Sequence, residues 1–130
     1  MKRTKPRVLC VDDNQDTCEM IAIALGLSGV EVVLAHSAEE ALRLALSDNF
    51  DLYLLDGRLP DGTGVDVCSN LRKSGSEAPI IFCSGYGEHF DKQKALSAGA
   101  DLYLLKPISI ENLIKIVPEL ISNKRPGQRL

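Results

Sequence analysis

The stretch from Asp51 to Gly64 constrains this chain more than any other. Leu52–Leu55 is a short unbroken apolar run, the pattern of a strand covered on both faces. It stops at a carboxylate, Asp56, and the chain then breaks through Gly57, Pro60, Gly62 and Gly64. In an open α/β sheet, the carboxyl ends of the strands form the rim at which ligands bind. Taken alone, Asp56 reads first as the start of a turn. The other strand ends decide between the two readings.

The same pattern recurs along the chain. Val8–Val11 ends at Asp12-Asp13, and Asn14 then caps a helix in which Met20, Ile21, Ala24 and Leu25 recur at helical spacing until Gly29. Val30–Ala35 reads as a second strand. Ser37-Ala38-Glu39-Glu40 is a capping box, and the helix after it carries Ala38, Ala41, Leu42, Ala45 and Leu46 on one face. Beyond the third strand, Gly64, Val67, Cys68 and Leu71 mark a third helix that ends near Gly75.

Pro79 opens a fourth strand, Ile80–Cys83, followed by a weaker helix over Glu88–Ala98 that Gly99 closes. The fifth strand, Leu102–Leu105, ends at Lys106-Pro107. Ser109 caps a last helix that turns Ile110, Leu113, Ile114, Val117 and Ile121 inward, and Pro118 should bend or end that helix. Short apolar strands alternating with helices predict an α/β fold. The expected form is a doubly wound, five-stranded parallel sheet of order 2-1-3-4-5, the flavodoxin-like three-layer sandwich. One domain over residues 1–122 is expected, with a polar, flexible tail over 123–130.

With 130 residues the chain can bury a substantial core, and its net charge of −3 gives no electrostatic case for nucleic acid. The absence of Trp argues against a base-stacking platform. No apolar run is long enough to span a membrane, and the basic start has no hydrophobic signal region after it, so a cytoplasmic location is expected. Cys10, Cys18, Cys68 and Cys83 show no metal or disulfide spacing and read as small core hydrophobes.

In the predicted strand order, four neighbouring strand ends deliver Asp12 and Asp13, Asp56, Ser84 and Lys106 to one rim. Clustered carboxylates repel: two unit charges ~4 Å apart cost about 4 kcal/mol at an effective dielectric near 20. They persist by holding protons or a cation, and a few hard oxygens with room for water suit Mg²⁺. A carboxylate beside a divalent cation and a lysine is a site for phosphoryl transfer to Asp.

Those residues, in the segments VLCVDDN, FDLYLLDGRLPDGTGVDVCSNLR, PIIFCSGY and ALSAGADLYLLKP, resemble the receiver domain of two-component response regulators, including the chemotaxis-regulator kind. The resemblance covers Pro6–Ile121. It implies that Asp56 is the phosphoacceptor. It also implies that Asp13 and Asp56 bind Mg²⁺ with the backbone carbonyl of Arg58, while Asp12 acts through coordinated water. Ser84 and Lys106 would contact the phosphoryl group. Tyr103 would swing inward as Ser84 moves, and Pro107 would follow a cis peptide bond. Phosphorylation would then shift a two-state equilibrium at the face of the fourth helix, fifth strand and fifth helix.

The resemblance further implies a sensor histidine kinase or histidine phosphotransfer protein as donor, and a downstream protein or in-chain partner domain as target. Charge and hydropathy lead us to expect no direct nucleic-acid or membrane contact, and no turnover enzyme is expected. Ser84 replaces the more frequent Thr. Gly57 stands where a larger apolar residue is usual, which would loosen the loop. Arg58 and Tyr86 occupy variable positions whose bulk would slow hydrolysis. Asp61 and Asp66 read as turn and helix-start residues, and His36 and His89 as isolated.

Two rivals are a phosphorylation-independent docking module, which would be expected to lack a key residue, and an Asp-nucleophile phosphatase. The phosphatase needs a general acid two residues after the nucleophile, where this chain has Arg58. A flavin domain of the same sheet order would need a phosphate loop where Asp12-Asp13 stand. No output domain follows Ile121, so the chain is expected to be a stand-alone receiver or one piece of a longer protein.

Overall fold

The computed structural model describes residues 5–85 and 92–123. The elements run β1 (Arg7–Val11), α1 (Gln15–Leu27), β2 (Glu31–Ala35), α2 (Ala38–Ser47), β3 (Leu52–Asp56), β4 (Arg58–Leu59), β5 (Gly62–Thr63), α3 (Gly64–Lys73), β6 (Ile80–Ser84), α4 (Lys92–Ser97), β7 (Leu102–Leu105) and α5 (Ile110–Asn123). Five strands pair in parallel in the order β2-β1-β3-β6-β7, which is 2-1-3-4-5 when only the sheet strands are counted. β4 and β5 form a separate antiparallel ribbon, two residues per strand, that the apolar pattern did not reveal.

The core explains why the strands read as unbroken apolar runs. Every residue of β3 and β6 is buried, because helices cover both faces of the sheet. Leu9, Val11, Tyr53, Leu55, Ile80 and Phe82 face one side, with Ala41 of α2, Val67, Cys68 and Leu71 of α3, and Ala95 of α4. Val8, Cys10, Leu52, Leu54, Ile81 and Cys83 face the other, with Cys18, Ile21 and Leu25 of α1 and Leu113 and Val117 of α5. The alternation has the period of two that a pleated strand imposes.

Helix boundaries follow the capping signals. Asn14 Oδ1 accepts from Thr17 N at 2.9 Å, and Ser37 Oγ from Glu40 N at 3.1 Å. Gly29, Gly75 and Gly99, beyond the helix ends, all have positive φ. Two helix faces differ from expectation: Met20 is 51% exposed and Leu46 82% exposed. Each falls at the edge of its helix's apolar stripe, beyond the reach of the sheet.

Pro118 does not end α5, which runs on to Asn123. The proline lies on the exposed side, where a carbonyl without its helical partner can be hydrated. The expected fourth helix is present from Lys92. Its first turn, with His89 and Tyr86, lies outside the described residues, as does the tail from residue 124.

Candidate functional site

Strand register builds the site. Val11 pairs with Leu55, Asp56 with Cys83, and Ser84 with Leu105, so the apolar rows end together. The next residues on β1, β3, β6 and β7 are therefore Asp12, Asp56, Ser84 and Lys106, all on one rim. The backbone ladder continues one step beyond: Gly57 N donates to Cys83 O at 2.9 Å, and Lys106 N to Ser84 O at 2.7 Å.

Asp12 and Asp56 are buried, at 4% and 6% exposure, whereas Asp13 faces solvent. One oxygen from each of the three carboxylates lies within 4.8 Å of the others. Lys106 Nζ reaches Asp12 Oδ2 at 2.7 Å and Asp56 Oδ1 at 3.2 Å. Asp12 Oδ1 accepts from Asn14 N at 2.9 Å, so the first turn of α1 fixes that carboxylate's rotation. Burial pulls the Lys106 ammonium toward a lower pKa, but the Asp12 hydrogen bond and the charges of Asp56 and Asp12 outweigh it and hold the pKa well above the ordinary lysine value. Among the described residues, the Lys106 ammonium is set against three carboxylates. Three hard oxygens, one of them on the exposed Asp13, fit the donor chemistry of Mg²⁺.

Ser84 is fully buried, and among the described residues its hydroxyl has no hydrogen-bond partner. An unsatisfied buried hydroxyl costs about 1–3 kcal/mol and persists where something else is to bind it. An oxygen-rich ligand at the rim would satisfy it.

The loop after Asp56 must come close to the sheet. A Cβ on Gly64 would stand 2.1 Å from the Asp56 carbonyl oxygen and 2.9 Å from Phe82 Cε2. Gly64 N donates to Gly57 O at 3.1 Å and closes the loop over the β4–β5 ribbon. Arg58 opens that ribbon two residues after Asp56. Phe82 in turn stacks on Tyr103, with ring centroids 5.6 Å apart and planes 10° from parallel. Tyr103 is half-buried. The Lys106–Pro107 peptide bond is cis, as expected.

Three features were not legible in advance. Gly64 serves as more than a helix marker, since the Asp56 backbone leaves it no room for a side chain. His36 is not isolated: its Nδ1 lies 3.0 Å from the Asp12 carbonyl oxygen, which raises the imidazole pKa against the lesser opposing effect of burial. The register of Val11 with Ala35 contains that contact, because it sets His36 beside Asp12. Asp61 does more than serve its own turn: its carboxylate also accepts from Ala38 N at 2.7 Å and Glu39 N at 3.0 Å, at the start of α2. The cysteines are free and buried as expected, with Cys83 pushed up to about 12 by burial.

Fold and site together define a doubly wound α/β domain with an acidic cluster and a lysine on its sheet rim. The chain belongs to the response regulator receiver domain family, whose model matches residues 8–118, and is a receiver domain of a two-component response regulator. It is 35% identical over 120 residues to Response regulator MprA of Mycobacterium avium, covering 92% of this chain and 53% of that one. The Mycobacterium leprae protein of the same name is 33% identical over 120 residues. The chain thus spans about half the length of these curated relatives.

Among solved structures it is similar to the receiver domain of Francisella response regulator 1452. The TM-score is 0.86 at 30% identity, over 93% of this chain and 100% of that one. A CheY-like receiver domain from Methanospirillum hungatei gives a TM-score of 0.87 at 29% identity, over 92% and 96% of the two chains. No helix among the described residues is long and apolar enough to cross a membrane.

Proposed function

We propose that this domain accepts a phosphoryl group on Asp56 and works as a switch without turning over a substrate. The observation that carries the reading is the buried Asp56 carboxylate, 3.2 Å from Lys106 Nζ, with the Ser84 hydroxyl, unpartnered among the described residues, at the end of the adjoining strand. An Asp56 oxygen would attack phosphorus as the bond to the donor breaks, giving an acyl phosphate and releasing the donor's leaving group. The donor chemistry is a phosphohistidine on a sensor kinase or phosphotransfer protein.

Asp12, Asp13 and Asp56, with the Arg58 backbone carbonyl, would hold Mg²⁺, which when bound neutralises phosphoryl oxygen charge. Lys106 would exchange a carboxylate contact for a phosphoryl oxygen, and Ser84 would donate its hydroxyl proton to another. Withdrawal of Ser84 and Lys106 toward the phosphoryl group opens space beside Tyr103 and biases the face of α4, β7 and α5. That face would contact a downstream protein or another domain of the same polypeptide. Every residue the phosphorylatable reading needs is present, which favours it over a docking-only module.

Intact mass after incubation with acetyl phosphate, with and without Mg²⁺, tests the reading. One hydroxylamine-labile adduct that requires Mg²⁺ and is lost in Asp56→Asn is the expected result. A folded wild type that stays unmodified while the donor remains intact would overturn it for small donors and leave the docking module standing.

A further inference from the structure

We propose that Asp61 is a positioning residue for the acidic cluster: from the loop after Asp56 it clamps the start of α2 and so fixes the ribbon that carries Arg58. The proposal rests on the phosphoacceptor reading above for its consequence, but not for its geometry. Asp61 lies between the two strands of the ribbon, whose pairs are Arg58 with Thr63 and Leu59 with Gly62. Its two carboxylate oxygens take separate backbone donors, Ala38 N at 2.7 Å and Glu39 N at 3.0 Å. Gly62 lies against the same turn, where a Cβ would meet Ala38 Cβ at 3.6 Å.

Helix capping alone does not account for these bonds. α2 already has its own cap: Ser37 Oγ accepts from Glu40 N at 3.1 Å, and Glu40 Oε1 accepts from His36 N at 2.9 Å. First-turn donors that the local cap does not reach are free to bond water. Here both go to a carboxylate more than twenty residues away in sequence, in charge-assisted bonds at the positive end of the helix. What they add is a fixed loop.

The start of α2 is in turn tied to the other half of the cluster. His36, immediately before the cap, places Nδ1 3.0 Å from the Asp12 carbonyl oxygen. Asp12 N donates to Ala35 O at 3.0 Å. The carboxyl end of β1, with Asp12 and Asp13, is thus joined through α2 to the loop that follows Asp56. A second connection, outside the sheet, sets the spacing between the two sides of the cluster.

The test compares Asp61→Ala, Asp61→Asn and Asp66→Ala with wild type by amide NMR, first metal-free and then during a MgCl₂ titration. Asp66→Ala removes a neighbouring exposed carboxylate and controls for lost charge. In the metal-free protein, Asp61→Ala should shift the amide signals of Gly57 and Arg58 and also those of His36 and Asp13, across the connection. Mg²⁺ should bind about tenfold more weakly, the lower end of what loss of an outer supporting partner costs. Asp61→Asn, which keeps one acceptor oxygen, should fall between, and Asp66→Ala should match wild type.

Unmoved His36 and Asp13 signals in Asp61→Ala overturn the connection whether or not the wild type binds Mg²⁺. Wild-type affinity in Asp61→Ala, or an equal loss in Asp66→Ala, overturns the positioning role. A wild type that shows no Mg²⁺-dependent shifts at Asp12, Asp13 and Asp56 would count instead against the phosphoacceptor reading.

Discussion

Lys106 Nζ is closer to Asp12 Oδ2, at 2.7 Å, than to Asp56 Oδ1, at 3.2 Å, so one ammonium bridges two buried carboxylates. Replacing it separates charge balance from chemistry. Lys106→Met keeps the apolar stem but leaves both carboxylates to repel. Mg²⁺ should then bind at least about tenfold more tightly, since the competing cation is gone. Acyl-phosphate formation should slow by about 100-fold, the loss typical of one charge-stabilising donor. Calorimetric Mg²⁺ titration beside acetyl phosphate kinetics reads both, and unchanged metal affinity would contradict the bridging role.

Gly64 predicts a variant that damages the site without touching a charged residue. A Cβ there would stand 2.1 Å from the Asp56 carbonyl oxygen, a rigid backbone atom, so the backbone must move. Gly64→Ala should cost about 1–3 kcal/mol of stability, as overpacking does. It should also depress phosphorylation through the displaced Asp56 backbone. Urea denaturation and intact-mass phosphorylation measure the two, and a variant of wild-type stability would refute the close approach.

Arg72 joins three segments. Its guanidinium donates to the carbonyls of Gly99 at 2.8 and 3.1 Å, Ser76 at 3.1 Å and Ala78 at 2.6 Å, and pairs with Asp101 at 2.9 Å. Arg72→Met, which retains most of the stem, should destabilise by about 3 kcal/mol because the carbonyls it strips are partly buried. A loss under about 0.5 kcal/mol in urea unfolding, the range of ordinary surface substitutions, would show the clamp to be dispensable.

Asp61 also sets a pH dependence. The amides of Ala38 and Glu39 hold its carboxyl below the ordinary value. A group depressed in the folded state adds stability above its unfolded pKa, about 3.9 for Asp, and loses it as pH falls through the lower folded value. The stability advantage of wild type over Asp61→Asn should be constant near neutrality and shrink below about pH 3.9. Paired urea titrations across that window check it; a pH-independent difference would mean that the carboxylate charge adds nothing.

Most of the architecture was legible because the signals were local. Each sheet strand is an apolar run, each of α1, α2 and α3 has a side-chain N-cap, and Asp12, Asp56 and Lys106 mark where runs end. What escaped depends on contacts distant in sequence. Asp61 looked like a turn residue because nothing local shows that its loop lies against α2. Gly64 looked like a helix start because the approach of the Asp56 backbone is a property of the folded loop. His36 looked isolated until the pairing of Val11 with Ala35 set it beside Asp12. Pro118 leaves α5 continuous to Asn123, where the packing of Leu113 and Val117 holds the helix to the sheet around it.

The pairing of Asp56 with Cys83 and of Ser84 with Leu105 has a consequence for quality control. A slip of one residue between neighbouring strands would exchange side chains between the two cores and, by the same displacement, scatter Asp56, Ser84 and Lys106. Misregistered molecules would therefore be silent in signalling as well as unstable. Competence to receive a signal is in this way a readout of correct assembly, and a population of such molecules would divide into working and inert members with few partly active ones between.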